Sequence, residues 1–436
     1  MLCVYLFTPS ASAATYVPNF DPSAQAAYMV NLDSGMVIYE KDPDAMIEPS
    51  ALAQLMTVIL AFENSSDPST EMVTMKGYIQ DEMHGKNQQY GGIRLAGLYR
   101  GEEISLLNLI YAVMLRDANE AAMMIADYIG DGSEPYFVTM MNNRAKELGA
   151  HNTNFTSAHG LPDPTSYTTA KDIAIIAQHA MTIQDMPKII GTSSYDGGPT
   201  NVNEHLHWTT TNRFLLSSSP FSNPAVQGVK TAYHPSLGSY AVSIAKRDGY
   251  SYLTVLLASS ITDTEREISP LTSVFDESNR LYSWAFSTFK VKTMLERGKS
   301  FGEVPLKLAW NKDFLRIMSD GVFTTLIPDE IEASSIQFDL VVPEHINAPV
   351  EKGDKVGVVN LILAGEVLGT VDVVSAETVE VSRVLLLFSK LLGLTQTFVF
   401  KFVLVFLMVL IIVYLVIMVM KNRNRRRYKR KKDIYR

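Results

Sequence analysis

Nineteen consecutive residues without a charge, Phe402 to Met420, place the strongest constraint on this chain. A helix of that length can cross a bilayer. Ten cationic residues against one acid follow it between Lys421 and Arg436, and cations flanking a span stay on the cytoplasmic side. The run therefore predicts a single-pass transmembrane helix over 402–420, a basic cytoplasmic tail over 421–436 and an extracytoplasmic bulk. Removing the tail's net +9 from the formal charge of −8 leaves −17 for residues 1–420. With that balance the tail reads as a contact for anionic lipid headgroups, and no nucleic-acid partner is expected.

The remaining length allows two or three domains. Met1 to Ala14 reads as the remnant of a signal peptide: an apolar run from Leu2 to Phe7, then Pro9 and the small residues Ala11-Ser12-Ala13. It has no cationic start. The only cysteine is Cys3, so a processed, exported form would carry neither thiol nor disulfide. Tyr28 to Leu32 and Met36 to Glu40 are short apolar runs around Asp33-Ser34-Gly35 and predict a hairpin. Glu48-Pro49-Ser50-Ala51-Leu52-Ala53-Gln54-Leu55-Met56-Thr57 runs into the apolar segment Val58 to Phe62 and predicts a buried helix, with Ser50 as its N-cap. Helical periodicity over Ile104 to Leu115 ends at Arg116-Asp117-Ala118-Asn119, and a second capped helix follows Tyr167-Thr168-Thr169.

These stretches, in this order, resemble the D-alanyl-D-alanine carboxypeptidases, the low-molecular-mass penicillin-binding serine peptidases. The segment around Pro49, Leu55, Met56 and Thr57 is similar to their first motif, Pro-Ala-Ser-x-Thr-Lys-Leu-Met-Thr. Arg116 to Ala122 is similar to their Ser-Gly-Asn motif, His159-Gly160-Leu161 to their Asn-x-His-Gly-Leu segment, and Gly228-Val229-Lys230-Thr231-Ala232-Tyr233 to their Gly-x-Lys-Thr-Gly-Tyr strand. The resemblance covers about residues 20–382 and implies an α/β (α+β) penicillin-binding, β-lactamase-like transpeptidase domain over 20–290. A small β-rich domain over 291–382, a linker or interfacial segment over 383–401 and the transmembrane helix would follow. It implies no cofactor.

In that register the nucleophile position holds Ala51 and the lysine position Gln54. The chemistry needs both: residues i and i+3 share a helix face, so a lysine there can take the serine proton and release an oxygen nucleophile. Alanine has no attacking atom and glutamine is no base. Asp117 stands at the second-motif serine and Ala232 at the third-motif glycine, whereas Asn119, Lys230 and Thr231 are kept. Lys230 and Thr231 are the positions that would hold a substrate carboxylate, with Ala232 and Asn119 beside them. A carboxylate at Asp117 adds negative charge where an anionic stem peptide would dock. The fallback nucleophile is Ser50, whose i+3 residue is Ala53 rather than a lysine. Ser243-x-x-Lys246 and Ser287-x-x-Lys290 match the same spacing, but the first lies in a strand-like stretch and the second at the domain end. His159 has no histidine at metal-ligand spacing and reads as a packing or loop residue, so no metal is expected.

Four changes over three motifs point to a catalytically inactive homologue in peptidoglycan metabolism that binds a stem peptide or regulates cell-wall enzymes. The alternative is an active serine-type carboxypeptidase that trims stem pentapeptides. A structural spacer with a vestigial cleft is the third reading.

Overall fold

The computed structural model describes residues 17–90, 93–260, 268–396 and 398–434. The expected signal-peptide remnant over 1–14 lies outside the described residues. The chain separates into two units, one up to Val291 together with Leu326–Ile331 and one made of Lys292–Thr325 and Glu332–Arg436.

In the first unit the predicted hairpin forms as β1 (Ala26–Asn31) and β2 (Val37–Lys41). A single 3-10 turn, Ser50–Leu52, leads into α1 (Ala53–Glu63). Next come β3 (Met72–Thr74), α2 (Gly77–Tyr90), β4 (Glu103–Ser105), α3 (Leu106–Arg116), α4 (Asn119–Ile129), α5 (Glu134–Leu148), α6 (Ala170–Ala180) and α7 (Met186–Ile190). The unit continues with β5 (Ser194–Gly198), β6 (Leu206–Thr209), β7 (Val226–His234), β8 (Gly238–Arg247), β9 (Tyr250–Ser259) and α8 (Ser273–Thr288).

The main sheet runs β2-β1-β9-β8-β7, antiparallel throughout. Its central strands are apolar on both faces, because helices cover both. Side chains alternate across a strand, so Ala241, Ala245, Tyr252 and Leu256 pack with Tyr282, Ala285 and Phe286 of α8. Val242, Ile244, Leu253 and Val255 face the opposite way, into the core made with α1, α3, α4 and α6. Ser243 shares the α8 face, where its hydroxyl meets the Tyr282 hydroxyl at 2.7 Å. The Ser243-x-x-Lys246 match is thereby a strand feature turned toward α8.

Two sequence expectations need correction. The helix expected from Ile104 starts at Leu106, because Glu103–Ser105 pairs with Met72–Thr74 as a strand and the Ser105 hydroxyl caps α3 by accepting from the Asn108 N–H. Ser50 is not an N-cap. It sits inside the 3-10 turn with φ +51°, and its side chain makes no capping bond. The expected cap of α6 is present, with the Thr169 hydroxyl accepting from the Asp172 N–H.

Strands β10 (Phe289–Leu295) and β13 (Phe323–Pro328) pair with each other, and β11 (Ser300–Lys307) and β12 (Phe314–Ser319) lie between them in sequence. In the second unit, with β14 (Gln337–Val341), β15 (Ile346–Asn347), β16 (Lys355–Leu363) and β17 (Glu366–Ser375), a six-stranded sheet runs β14-β16-β17-β12-β11-β15. It is the small β-rich domain that the family resemblance implies. Two helices close the chain, α9 (Arg383–Gln396) and α10 (Phe398–Ile434). Within α10, Phe400–Arg423 is long and apolar enough to cross a membrane.

Candidate functional site

Helix α1 is buried nearly all round, from Ala53 to Ala61, and its N-terminal turn meets the α3–α4 corner and β7. Asp117 makes that corner. It takes a left-handed backbone, φ +58°, as the C-cap of α3, and α4 restarts at Asn119. Three stretches far apart in sequence thus bring Ala51, Gln54, Asp117, Asn119 and Lys230 into one region.

Gln54 acts as a structural clamp. Its Nε2 donates to the backbone oxygens of Asp117 at 3.2 Å and His159 at 2.9 Å, while Oε1 is buried without a partner. One helical turn later the Thr57 hydroxyl donates to the Ala158 carbonyl at 2.7 Å. Asn119 Nδ2 also donates to the His159 carbonyl, and its Oδ1 accepts from the Arg94 N–H. His159 itself is buried; Nδ1 accepts from the Leu161 N–H, and burial pushes its pKa down to about 3. It is a neutral loop-holding residue, and among the described residues no group of three or more His, Cys, Asp or Glu could hold a metal ion.

The Lys230 side chain is wholly buried. Its ammonium donates to the Val113 carbonyl at 2.5 Å and to Asp117 Oδ1 at 2.6 Å, and desolvation lowers its pKa against the pull of Asp117. The other carboxylate oxygen of Asp117 accepts from Arg94 Nη1 at 2.7 Å and, more weakly, from the Thr211 hydroxyl at 3.4 Å. The carboxylate therefore does not stand as a free negative charge, as the sequence suggested, but lies between two cations. Thr231 and Ala232 are also buried, paired across the strand with Ala241 and Tyr240.

Between these groups lies a cavity of about 40 Å³, lined among others by Ser50, Ala51, Arg94, Asp117, Asn119 and His234. That is room for a few water molecules at most. Lys230 is not on its wall. Gly160 fixes one side: at φ +68°, a Cβ there would stand 2.3 Å from the Ser50 carbonyl oxygen. Ser50, whose carbonyl faces Gly160, has a left-handed backbone at φ +51°, a conformation that costs a residue with a side chain strain.

Arg94 and Glu120 escaped sequence reasoning. Arg94 comes from a loop with no periodicity, and the only signal available was that a buried Asp117 needs a cation. Glu120 is 2% exposed; it accepts from the Ala96 and Gly97 N–H groups, and its second oxygen has no partner. Burial pushes its pKa up to about 7. The folded state then holds a proton that the unfolded chain gives up near 4.5, so stability falls as pH rises between these values. Glu120→Gln, which mimics the protonated form, is expected to raise stability at pH 8 by about 1–3 kcal/mol and to change little at pH 5. Denaturant midpoints at both pH values check this; a variant no more stable at pH 8 would contradict it.

The sequence pattern described as D-alanyl-D-alanine carboxypeptidase matches residues 11–260, and that of the penicillin-binding protein 5 C-terminal domain matches residues 289–381. The chain belongs to the D-alanyl-D-alanine carboxypeptidase family. Among its relatives, the D-alanyl-D-alanine carboxypeptidase DacF of Bacillus subtilis is 26% identical over 374 residues, 85% of this chain and 90% of the relative. The corresponding enzyme DacC of Escherichia coli is 27% identical over 386 residues, 86% and 90% of the two chains. Penicillin-binding protein 5 of Haemophilus influenzae shares the fold with a TM-score of 0.60 at 23% identity, covering 84% of this chain and 99% of that one.

Proposed function

We propose that this chain is a membrane-anchored, extracytoplasmic carboxypeptidase homologue of peptidoglycan metabolism that does not cleave D-alanyl-D-alanine. It acts instead by binding a stem peptide or by regulating a cell-wall enzyme. The observation that carries this reading is the joint loss at one site: no attacking atom at Ala51, no base at Gln54, and Lys230 held by Asp117. Removing the nucleophile of a serine protease costs about six orders of magnitude in turnover. Neighbouring groups cannot make up such a deficit. The small cavity favours the regulatory role over capture of a peptide in the cleft as it stands. The apolar segment Phe400–Arg423 with the basic residues after it supports the anchor, with the tail cytoplasmic.

A second reading, active serine-type cleavage through Ser50, draws on its place on the cavity wall and its strained backbone. The residue three positions on is Ala53, so Ser50 lacks a base on its own helix face. Release of D-alanine from a pentapeptide by the full-length protein separates the two. The account expects no release above that of Ser50→Ala; release that Ser50→Ala abolishes would replace it with the second reading.

A further inference from the structure

The turn joining β11 to β12 carries Trp310 outward, 65% exposed, while the preceding Ala309 is buried. Leu308 and Asn311 bracket it with left-handed backbones, φ +64° and +61°. This tip is fixed to the segment that enters α9. The Ser382 N–H donates to the Leu308 carbonyl at 2.7 Å, Ala309 packs in one cluster with Val379, and Lys312 pairs with Glu377 at 2.6 Å. Ser382 also caps α9, its hydroxyl accepting from the Leu385 N–H. Trp310 is therefore locked at the base of the helix that leads to the apolar segment.

Helix α9 presents Val384, Leu387 and Phe388 to solvent, each about 60% exposed. Their i, i+3, i+4 spacing puts them on one face. Arg383 and Lys390, seven residues apart, share a neighbouring face. At 1.5 Å per residue this helix is about 21 Å long, so its orientation decides where the tip sits. Upright, it would lift Trp310 by roughly that length above the bilayer. Flat, with the apolar stripe in the headgroup boundary and the cations on anionic lipid, it brings Trp310 to the depth where tryptophan is favoured.

We infer that the β11–β12 turn is a second membrane contact, with Trp310 inserted in the interface of an anionic bilayer beside a flat-lying α9. The inference rests on the anchor reading, since it continues the surface that Phe400–Arg423 begins. The test uses full-length protein in phosphatidylglycerol-containing vesicles, with and without lipids brominated near the headgroup. Emission of Trp310 is taken as the difference between native protein and Trp310→Phe, because Trp208 and Trp284 lie in the other unit. Brominated lipid is expected to remove at least half of that difference and to leave Trp310→Phe unquenched. A difference emission untouched by bromine, in protein that floats with the vesicles, overturns the inference and leaves the anchor standing. Protein that fails to float overturns both.

Discussion

Asp117→Ala is expected to lower the unfolding free energy by about 3–5 kcal/mol, the usual cost of stranding one partner of a buried ion pair. Lys230 is the partner stranded. Its side chain is fully buried, and without Asp117 it keeps only the Val113 carbonyl. Arg94 would lose its carboxylate too, but it is about a third exposed and can reach water. The pair as a whole is another matter, since replacing a buried ion pair by neutral groups of similar size is often close to neutral. Asp117→Asn combined with Lys230→Met should therefore recover most of the loss. Chemical denaturation of the three proteins measures both effects. A loss below about 1 kcal/mol for Asp117→Ala would mean that the pair is wetter and weaker than its geometry indicates.

Gly160→Ala is the second large effect. The left-handed backbone alone costs an alanine about 1–2 kcal/mol. The added Cβ would also stand 2.3 Å from the Ser50 carbonyl oxygen and 3.0 Å from the Ala51 Cα. Both are backbone atoms, so no side chain can swing aside. The total expected loss is about 3 kcal/mol or more, with the displacement falling on the Ser50–Ala51 turn. Thermal unfolding reads the loss, and a drop no larger than the backbone penalty alone would show that this turn yields easily.

Much of this molecule was legible because it is written locally. The buried helix α1 follows from the apolar segment Val58 to Phe62, the cap of α6 from the Thr168-Thr169 stretch before it, and the first hairpin from apolar runs around Asp33-Ser34-Gly35. Each signal sits within a few residues of the structure it specifies. The features that escaped are those decided elsewhere in the chain. Residues Glu103–Ser105 continue the apolar rhythm of α3, and only pairing with Met72–Thr74 makes them a strand. Helix α2 buries just Ile79 and Met83, too thin a stripe to declare itself. The meaning of Asp117 depended on Arg94, 23 residues earlier, and on Lys230, 113 residues later. Sequence alone supplied the charge of Asp117 but not its two partners. Ser50 looked like a cap by type, whereas it stands inside the 3-10 turn with a left-handed backbone and makes no capping bond.

Loss of acylation chemistry is tested most directly by the intact mass of the full-length protein after exposure to a penicillin. Beside it stands a variant carrying Ala51→Ser, Gln54→Lys and Asp117→Ser, the last included so that the carboxylate does not hold both lysines. The account predicts an unchanged mass for the native chain and a covalent adduct on the variant. An adduct on the native chain would contradict it, and the search for the acylated residue would begin at Ser50.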